Sequence, residues 1–378
     1  MYRNTKNVPY YVFGRGSLAQ LGDLLNPRRE AVDGPVVYFV DHFFRDHELI
    51  GRLPMEKGDQ LHFVDSSSEP EVTRIDAFKE AVSAADSRTP CCVVGIGGGN
   101  ALDTAKAVAN LLTNPGKAED YQGWELVKNP AVYKIGIPTL SGTGSECSRT
   151  CVLTNIPKNL KLGMNSDYTV YDQLLLDPDL LATVPRDQYF YTGIDTFMHC
   201  VESLQGSYRN AIIDAFSVRA VQLCEEIFLS DDMMSEENRE KMMIASYIGG
   251  MAAGNVGVIH PFSAGLGVVL HVAHGLGNCL ALNVLGDIYP KEYKQFRTMI
   301  ERQGVNLPTG ICKDLTEEQY EGLYRGCIVH EKPLTNALGP DFKQILTREN
   351  LIERYKSIKR ERPRRACPRE GPCGPLTR

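Results

Sequence analysis

The run Cys91-Cys92-Val93-Val94-Gly95-Ile96-Gly97-Gly98-Gly99-Asn100 constrains this chain more than any other stretch. An apolar segment of strand length meets three consecutive glycines and then a helical pattern from Asn100 to about Leu112. Such a junction aims backbone N–H groups and the positive end of a helix at one point, where a pyrophosphate can sit. It is not the standard spaced-glycine fingerprint, and a tight turn is the plain alternative. A simple turn, however, needs one or two glycines, and each further one adds conformational entropy to be lost on folding. Three more segments read as strands, over 35–41, 61–67 and 133–139, with a helix near 71–86. Strands and helices alternating at this spacing predict a parallel sheet with crossover helices.

Beyond Leu174–Pro185 the pattern turns helical, over about 187–205, 211–229, 235–254, 258–272, 291–303 and 316–329. The expected organisation is an α/β domain over 1–178, a helical domain over 179–360 and a disordered tail over 361–378, rich in Pro, Arg and Gly. A net charge of −6 without a basic stripe argues against nucleic acid or an anionic membrane as partner. The eleven cysteines are scattered, and no CxxC pair exists. Reduced thiols and a cytoplasmic location are expected, since no apolar run reaches membrane-spanning length.

Asp195 and His199 stand four apart in a helical segment, so both side chains leave one face. A carboxylate and an imidazole so placed are half of a divalent metal site, and His260 and His274 downstream can supply the rest. A satisfied polar pair on an apolar helix is the alternative. A second loop, Pro138–Glu146, carries hydroxyls at Thr139, Ser141, Thr143 and Ser145 between two glycines. Short donors with close backbone approach suit phosphate or ribose oxygens, and Thr143 or Ser145 can instead cap a following helix. Asp103 is placed to bond a loop amide or a nucleotide. Asp41, at the end of the first strand, can accept from a ribose hydroxyl or serve as a turn residue.

In order, GIGGGNALDTAK, IPTLSGTGSE, LLLDP and TGIDTFMHCVES resemble the iron-containing (group III) alcohol dehydrogenase family, over roughly residues 8–358. The resemblance implies an N-terminal Rossmann-like, dinucleotide-binding α/β domain and an all-α C-terminal metal-binding domain, an architecture shared with dehydroquinate synthase. It implies Asp195, His199, His260 and His274 as metal ligands; the last two are fourteen apart and Gly275 follows, as in the family. The metal it implies is Fe(II), with Zn(II) second. His271 is left as a surface or supporting histidine. The cofactor is NAD, with Gly97, Gly98, Gly99, Asn100 and Asp103 on the pyrophosphate loop and Thr139, Leu140, Ser141 and Thr143 on the second loop. Asp41 repels a 2′-phosphate and favours NAD over NADP, and Lys161 matches a lysine near the nicotinamide ribose.

One departure stands out: many members carry a further histidine four residues after the third ligand, where this chain has Ala264. The segments NVPYYVFGRGSLAQLGDLL and GNVGVIHPFSAGLG resemble the 3-deoxy-manno-octulosonate 8-oxidase branch. That branch implies oxidation of the C8 primary alcohol of a sugar acid to an aldehyde, for 8-amino sugar and lipopolysaccharide biosynthesis, with dioxygen as an acceptor besides NAD. Arg149, Lys158, Arg186 and Arg209 are candidate cations for the substrate carboxylate. The alternatives are a general NAD-dependent iron or zinc dehydrogenase of small alcohols or polyols, a lyase of the dehydroquinate-synthase type, and a non-catalytic metal-binding protein. A small-molecule substrate and a homodimer are expected.

Overall fold

The computed structural model describes residues 6–158 and 160–358; the expected tail at 361–378 lies outside them. In chain order the first half carries β1 (Tyr10–Phe13), α1 (Leu21–Ala31), β2 (Val36–Asp41), β3 (Gln60–Val64), α2 (Val72–Ala85), β4 (Cys92–Gly97) and α3 (Gly99–Leu111). It continues through β5 (Gly123–Trp124), β6 (Lys134–Pro138), β7 (Thr150–Asn155), β8 (Leu160–Asn165) and β9 (Gln173–Leu176). The main sheet has the order β1-β9-β6-β4-β2-β3, and its strand pairs are all parallel. Helices on its faces bury β4 along its whole length, which is why that strand is apolar throughout. The four strands expected from the sequence are all present.

The sequence pattern did not disclose β1 and β9, nor a small three-stranded sheet of order β5-β8-β7. In that sheet β7 and β8 form an antiparallel pair whose exposure alternates along β7, a half-covered arrangement that packs against α3.

After Leu176 the chain is helical: α4 (Arg186–Gln205), α5 (Ala211–Phe228), α6 (Glu236–Gly249), α7 (Ile259–Leu270) and α8 (His274–Val284). Next come α9 (Pro290–Gln303), α10 (Glu317–Ile328), α11 (Glu331–Leu338), α12 (Phe342–Ile345) and α13 (Arg348–Ser357). The helix expected over 235–254 ends at Gly249 and continues as a tighter 3₁₀ stretch. The helix expected over 258–272 stops at Leu270, because His271 adopts a left-handed conformation with φ 54°. That break starts α8, which the sequence pattern had not separated. Among the described residues no single helix is long and apolar enough to cross a membrane.

Asp41, Gly97 and Pro138 end β2, β4 and β6 along one carboxyl edge of the sheet, and Gly97 is paired with Pro138. Ligands of open parallel sheets bind outside such an edge. Here α4, α7 and α8 form the opposite wall of a cleft of about 1900 Å³.

Candidate metal and nucleotide site

Asp195, His199, His260 and His274 converge, each offering one ligand atom within 4.8 Å of the others. Helix α4 supplies the first two, α7 opens with His260 and α8 opens with His274. Asp195 Oδ1 lies 3.2 Å from His260 Nε2 and 3.7 Å from His199 Nε2, while Oδ2 lies 3.4 Å from His274 Nε2. The rings of His199 and His260 stack with centroids 4.5 Å apart. Asp195 is fully buried, and among the described residues its Oδ2 accepts no hydrogen bond, so the centre holds a buried carboxylate oxygen with room for a further partner. Three imidazole nitrogens and one carboxylate, without a thiolate, fit a divalent iron or zinc ion at that point. His271 lies apart from this cluster, exposed on the cleft.

Electrostatics match the geometry. Burial pushes the Asp195 carboxyl up, but the imidazoles of His199 and His274 and the bond with His260 hold it well below the usual carboxylate range. Burial brings His199 down to about 3, leaving it a neutral donor. His260 differs: against burial, the Glu202 carboxylate raises it to about 9.

Glu202 was not singled out from the sequence. It follows Asp195 and His199 at helical spacing on α4 and bonds His260 Nδ1 through Oε2. Its Oε1 accepts from the Ile259 N–H at 2.6 Å and from the Tyr289 hydroxyl at 3.2 Å. Glu202 therefore holds a proton on His260 Nδ1, which leaves Nε2, bonded to Asp195 Oδ1 at 3.2 Å, as the nitrogen that can ligate a cation once its own proton is displaced. Asn278, one turn after His274, donates to Asp195 Oδ1 at 2.6 Å. The i, i+4 and i, i+7 spacings were the available signals for these partners.

The glycine loop faces this centre across the cleft. Gly98, Gly99, Asn100, Asp103, Thr139, Leu140, Thr143, Asp41 and Lys161 all line the cleft. Gly97 and Ser141 are set back from its surface. A Cβ on Gly97, whose φ is 151°, would stand 2.6 Å from the Ala101 methyl and 2.9 Å from Asp41 Cβ, so glycine lets α3 begin against β2. Ser141 is buried and its hydroxyl has no partner among the described residues. Asp103 braces the loops: Oδ1 accepts from the Ser145 hydroxyl, and Oδ2 accepts from the Val152 N–H at 2.8 Å. Fully buried Lys106 donates to the carbonyls of Ser145, Ser148 and Thr150.

No helix follows the second loop, which runs into β7, so the alternative reading of Thr143 or Ser145 as a helix cap does not apply; Thr143 Oγ1 accepts from the Ser145 N–H within the loop. Instead the loop is fastened to the helical half. The Gly142 N–H donates to Ser246 Oγ at 2.7 Å, and its carbonyl accepts from Thr196 Oγ1 at 2.9 Å.

Asp41 Oδ1 accepts from the Phe43 N–H and the Ser66 hydroxyl. Lys161 pairs with Glu69 at 2.9 Å, another cleft residue the sequence had not marked. The charges of Lys161 and His274 outweigh burial and keep the Glu69 carboxyl below its ordinary range. Of the four candidate cations, Arg149 and Arg209 line the cleft, the first paired with Asp167 at 2.8 Å and the second with Asp214 at 2.9 Å. Lys158 and Arg186 lie outside it.

Comparison with known proteins decides the family. The family model for iron-containing alcohol dehydrogenase matches residues 9–178, and that for the C-terminal part of the Fe-containing alcohol dehydrogenase family matches 189–322. The chain belongs to the iron-containing alcohol dehydrogenase family. Sulfoacetaldehyde reductase of Bilophila wadsworthia (strain 3_1_6) is 34% identical over 220 residues, a match spanning 57% of this chain and 56% of that enzyme. NAD-dependent methanol dehydrogenase of Bacillus methanolicus is 29% identical over 278 residues, 71% of either chain. Sulfoacetaldehyde reductase of Bifidobacterium kashiwanohense, solved in complex with NAD+, superposes with a TM-score of 0.77 at 24% identity, covering 95% of this chain and 99% of that one. These likenesses fit the fold, an α/β half followed by a helical half, that this family of oxidoreductases shares.

Proposed function

We propose that this chain is a metal- and NAD-dependent oxidoreductase that interconverts a primary alcohol and its aldehyde. The physiological alcohol is the terminal one of a polyhydroxylated acid of the 3-deoxy-octulosonate type. The observation that carries the reading is the single cleft with a four-ligand centre on one wall and two anion-cradling loops on the other. Its volume of about 1900 Å³ exceeds the roughly 300–1,000 Å³ of an ordinary small-ligand site and accommodates a dinucleotide beside a second ligand. Arg209, Ser207, Asn210 and Asn255 line it, a polar surface suited to hydroxyls and a carboxylate.

Asp195, His199, His260 and His274 would hold the cation, whose Lewis acidity makes a hydroxyl easier to deprotonate. Glu202 keeps His260 in the ligating tautomer, and Asn278 orients Asp195. The N–H groups at the start of α3 and the hydroxyls of Thr139 and Thr143 would hold the pyrophosphate and ribose. Lys161 would reach the nicotinamide end, and Asp41 the adenosine ribose. A nicotinamide held there would supply the hydride-accepting chemistry. Similarity to two sulfoacetaldehyde reductases favours a second reading, the same carbon chemistry run toward reduction of a short anionic aldehyde.

The test is turnover by iron- or zinc-reconstituted protein on the sugar acid, on simple primary alcohols and on sulfoacetaldehyde, with and without NAD and oxygen. NADH formed anaerobically in proportion to aldehyde is expected, with the sugar acid preferred. Strict oxygen dependence without NADH would overturn NAD as acceptor, and a preference for sulfoacetaldehyde with NADH would favour the second reading.

A further inference from the structure

His330 stands at the corner between α10 and α11, capping the latter, and lines the same cleft as the metal ligands. Its backbone is committed: the N–H donates to the Cys327 carbonyl at 3.3 Å and the carbonyl accepts from Leu334 at 3.2 Å. Its imidazole is not: neither ring nitrogen has a hydrogen-bond partner among the described residues. A part-buried imidazole that lines a cleft and has no protein partner is ready for a ligand.

Its position follows from its neighbours. On α7, residues 260, 264 and 267 share one face, and all three line the cleft. Lys161 Nζ comes within 3.8 Å of where a Cβ would stand on Gly267, one turn beyond Ala264. Burial first, then the charges of Lys161 and His260, bring the His330 imidazole down to about 4. The ring is thus neutral, one nitrogen donating and the other accepting. The bank that carries it meets α7 on either side of His260: a Cβ on Gly326 of α10 would stand 3.0 Å from Gly265 Cα, and one on Gly257, just before α7, 3.1 Å from the Ala337 methyl of α11. Helix α11 packs directly on α7. Ala264 contributes only a methyl to this stretch, leaving room between α7 and the opposite bank.

We infer that His330 is a substrate-binding residue whose imidazole hydrogen-bonds the hydroxyl adjacent to the reacting primary alcohol, in the space that Ala264 leaves open. The inference rests on the reading of the cleft as an alcohol site and adds what selects a polyol over a plain alcohol. A site built to bond a particular hydroxyl discriminates against the analogue lacking it, because its own polar group is then left unpaired.

The experiment compares 1,2-propanediol with 1-propanol, which differ by the one hydroxyl in question, on metal-loaded protein carrying wild-type His330, His330→Ala or His330→Asn. Binding is followed without turnover by fluorescence of Trp124, the one tryptophan, which lines the cleft. The ratio of diol to mono-alcohol affinity, and of the two kcat/KM values, should fall roughly 10- to 100-fold in His330→Ala. His330→Asn, which keeps a donor and an acceptor, should restore part of it. Metal content and the melting temperature serve as folding controls, and His330→Asn carries the test if the alanine variant does not fold. An unchanged ratio in both variants would overturn the inference while leaving the alcohol-site reading intact. If the wild-type protein turns over neither these alcohols nor the sugar acid, the alcohol-site reading fails and this inference with it.

Discussion

Replacing Glu202 by glutamine tests how the protein tunes its own metal ligand. The variant keeps shape and volume but exchanges one oxygen for an amide nitrogen. Oε1 serves two donors, the Ile259 N–H and the Tyr289 hydroxyl, so the amide oxygen settles there and the NH₂ turns toward His260 Nδ1. Nδ1 must then accept, and the ring proton moves to Nε2, the atom that faces Asp195 at 3.2 Å. An Nε2–H cannot ligate. Loss of such a supporting partner weakens metal binding roughly 10- to 100-fold, about 1.4–2.7 kcal/mol.

The pH dependence makes the argument sharper. In the metal-free protein Glu202 raises His260 to about 9, so below that pH an incoming cation must displace a proton. At pH 7 this competition weakens wild-type affinity about 100-fold. The glutamine variant lacks the charge that holds this proton and escapes most of the penalty. The deficit of Glu202→Gln should therefore be largest above pH 9 and shrink toward pH 7. Chelator competition with zinc from pH 6.5 to 9.5, with thermal melts as folding control, measures it. Equal affinities above pH 9, or a deficit that grows as pH falls, would refute the tautomer argument.

Other consequences can be checked more briefly. Gly142→Ala should destabilise the protein by about 3 kcal/mol or more in chemical denaturation, since its φ is +146° and a Cβ would stand 1.7 Å from the Thr192 carbonyl oxygen. Asp41→Ser should raise the NADP/NAD preference about tenfold or more in steady-state kinetics, by removing a like charge from the 2′-phosphate. Asp59 accepts from Arg29, Val36 and Glu56, which lower its folded pKa even though burial pushes the other way. Its contribution is present above the ordinary value of 3.8 and is lost as pH falls through the lower folded value. Asp59→Asn should therefore cost about 1–3 kcal/mol at pH 7 and progressively less in acid, as read from urea titrations.

Much of the architecture was legible because it is written locally. The strands at 36–41, 92–97 and 134–138 are apolar and end in turn residues, and the four residues proposed as metal ligands, which the fold brings together, sit at helical spacing or within a motif. What escaped depends on tertiary placement. Strand β9 is four residues long, and the antiparallel β7–β8 pair becomes coherent only once α3 covers it. The boundary between α7 and α8 turns on the conformation of His271, which no apolar period records. Glu202 and Asn278 read as ordinary polar residues until the fold brings them to His260 and Asp195. Glu69 and His330 reach the cleft from loops and helix corners, where sequence spacing carries no geometric information.

One helix serves both halves of the cleft. On one side of α4, Asp195, His199 and Glu202 build the proposed metal centre; on the adjoining side, the Thr196 hydroxyl holds the Gly142 carbonyl of the second loop, and the Thr192 carbonyl crowds the same glycine. A slide or rotation of α4 by a fraction of a turn would displace both sets of contacts together. The two binding sites are thereby in mechanical register. Substitutions in the loop and in the metal shell are expected to be non-additive, and a redesign of either site has to preserve the axial setting of this one rod.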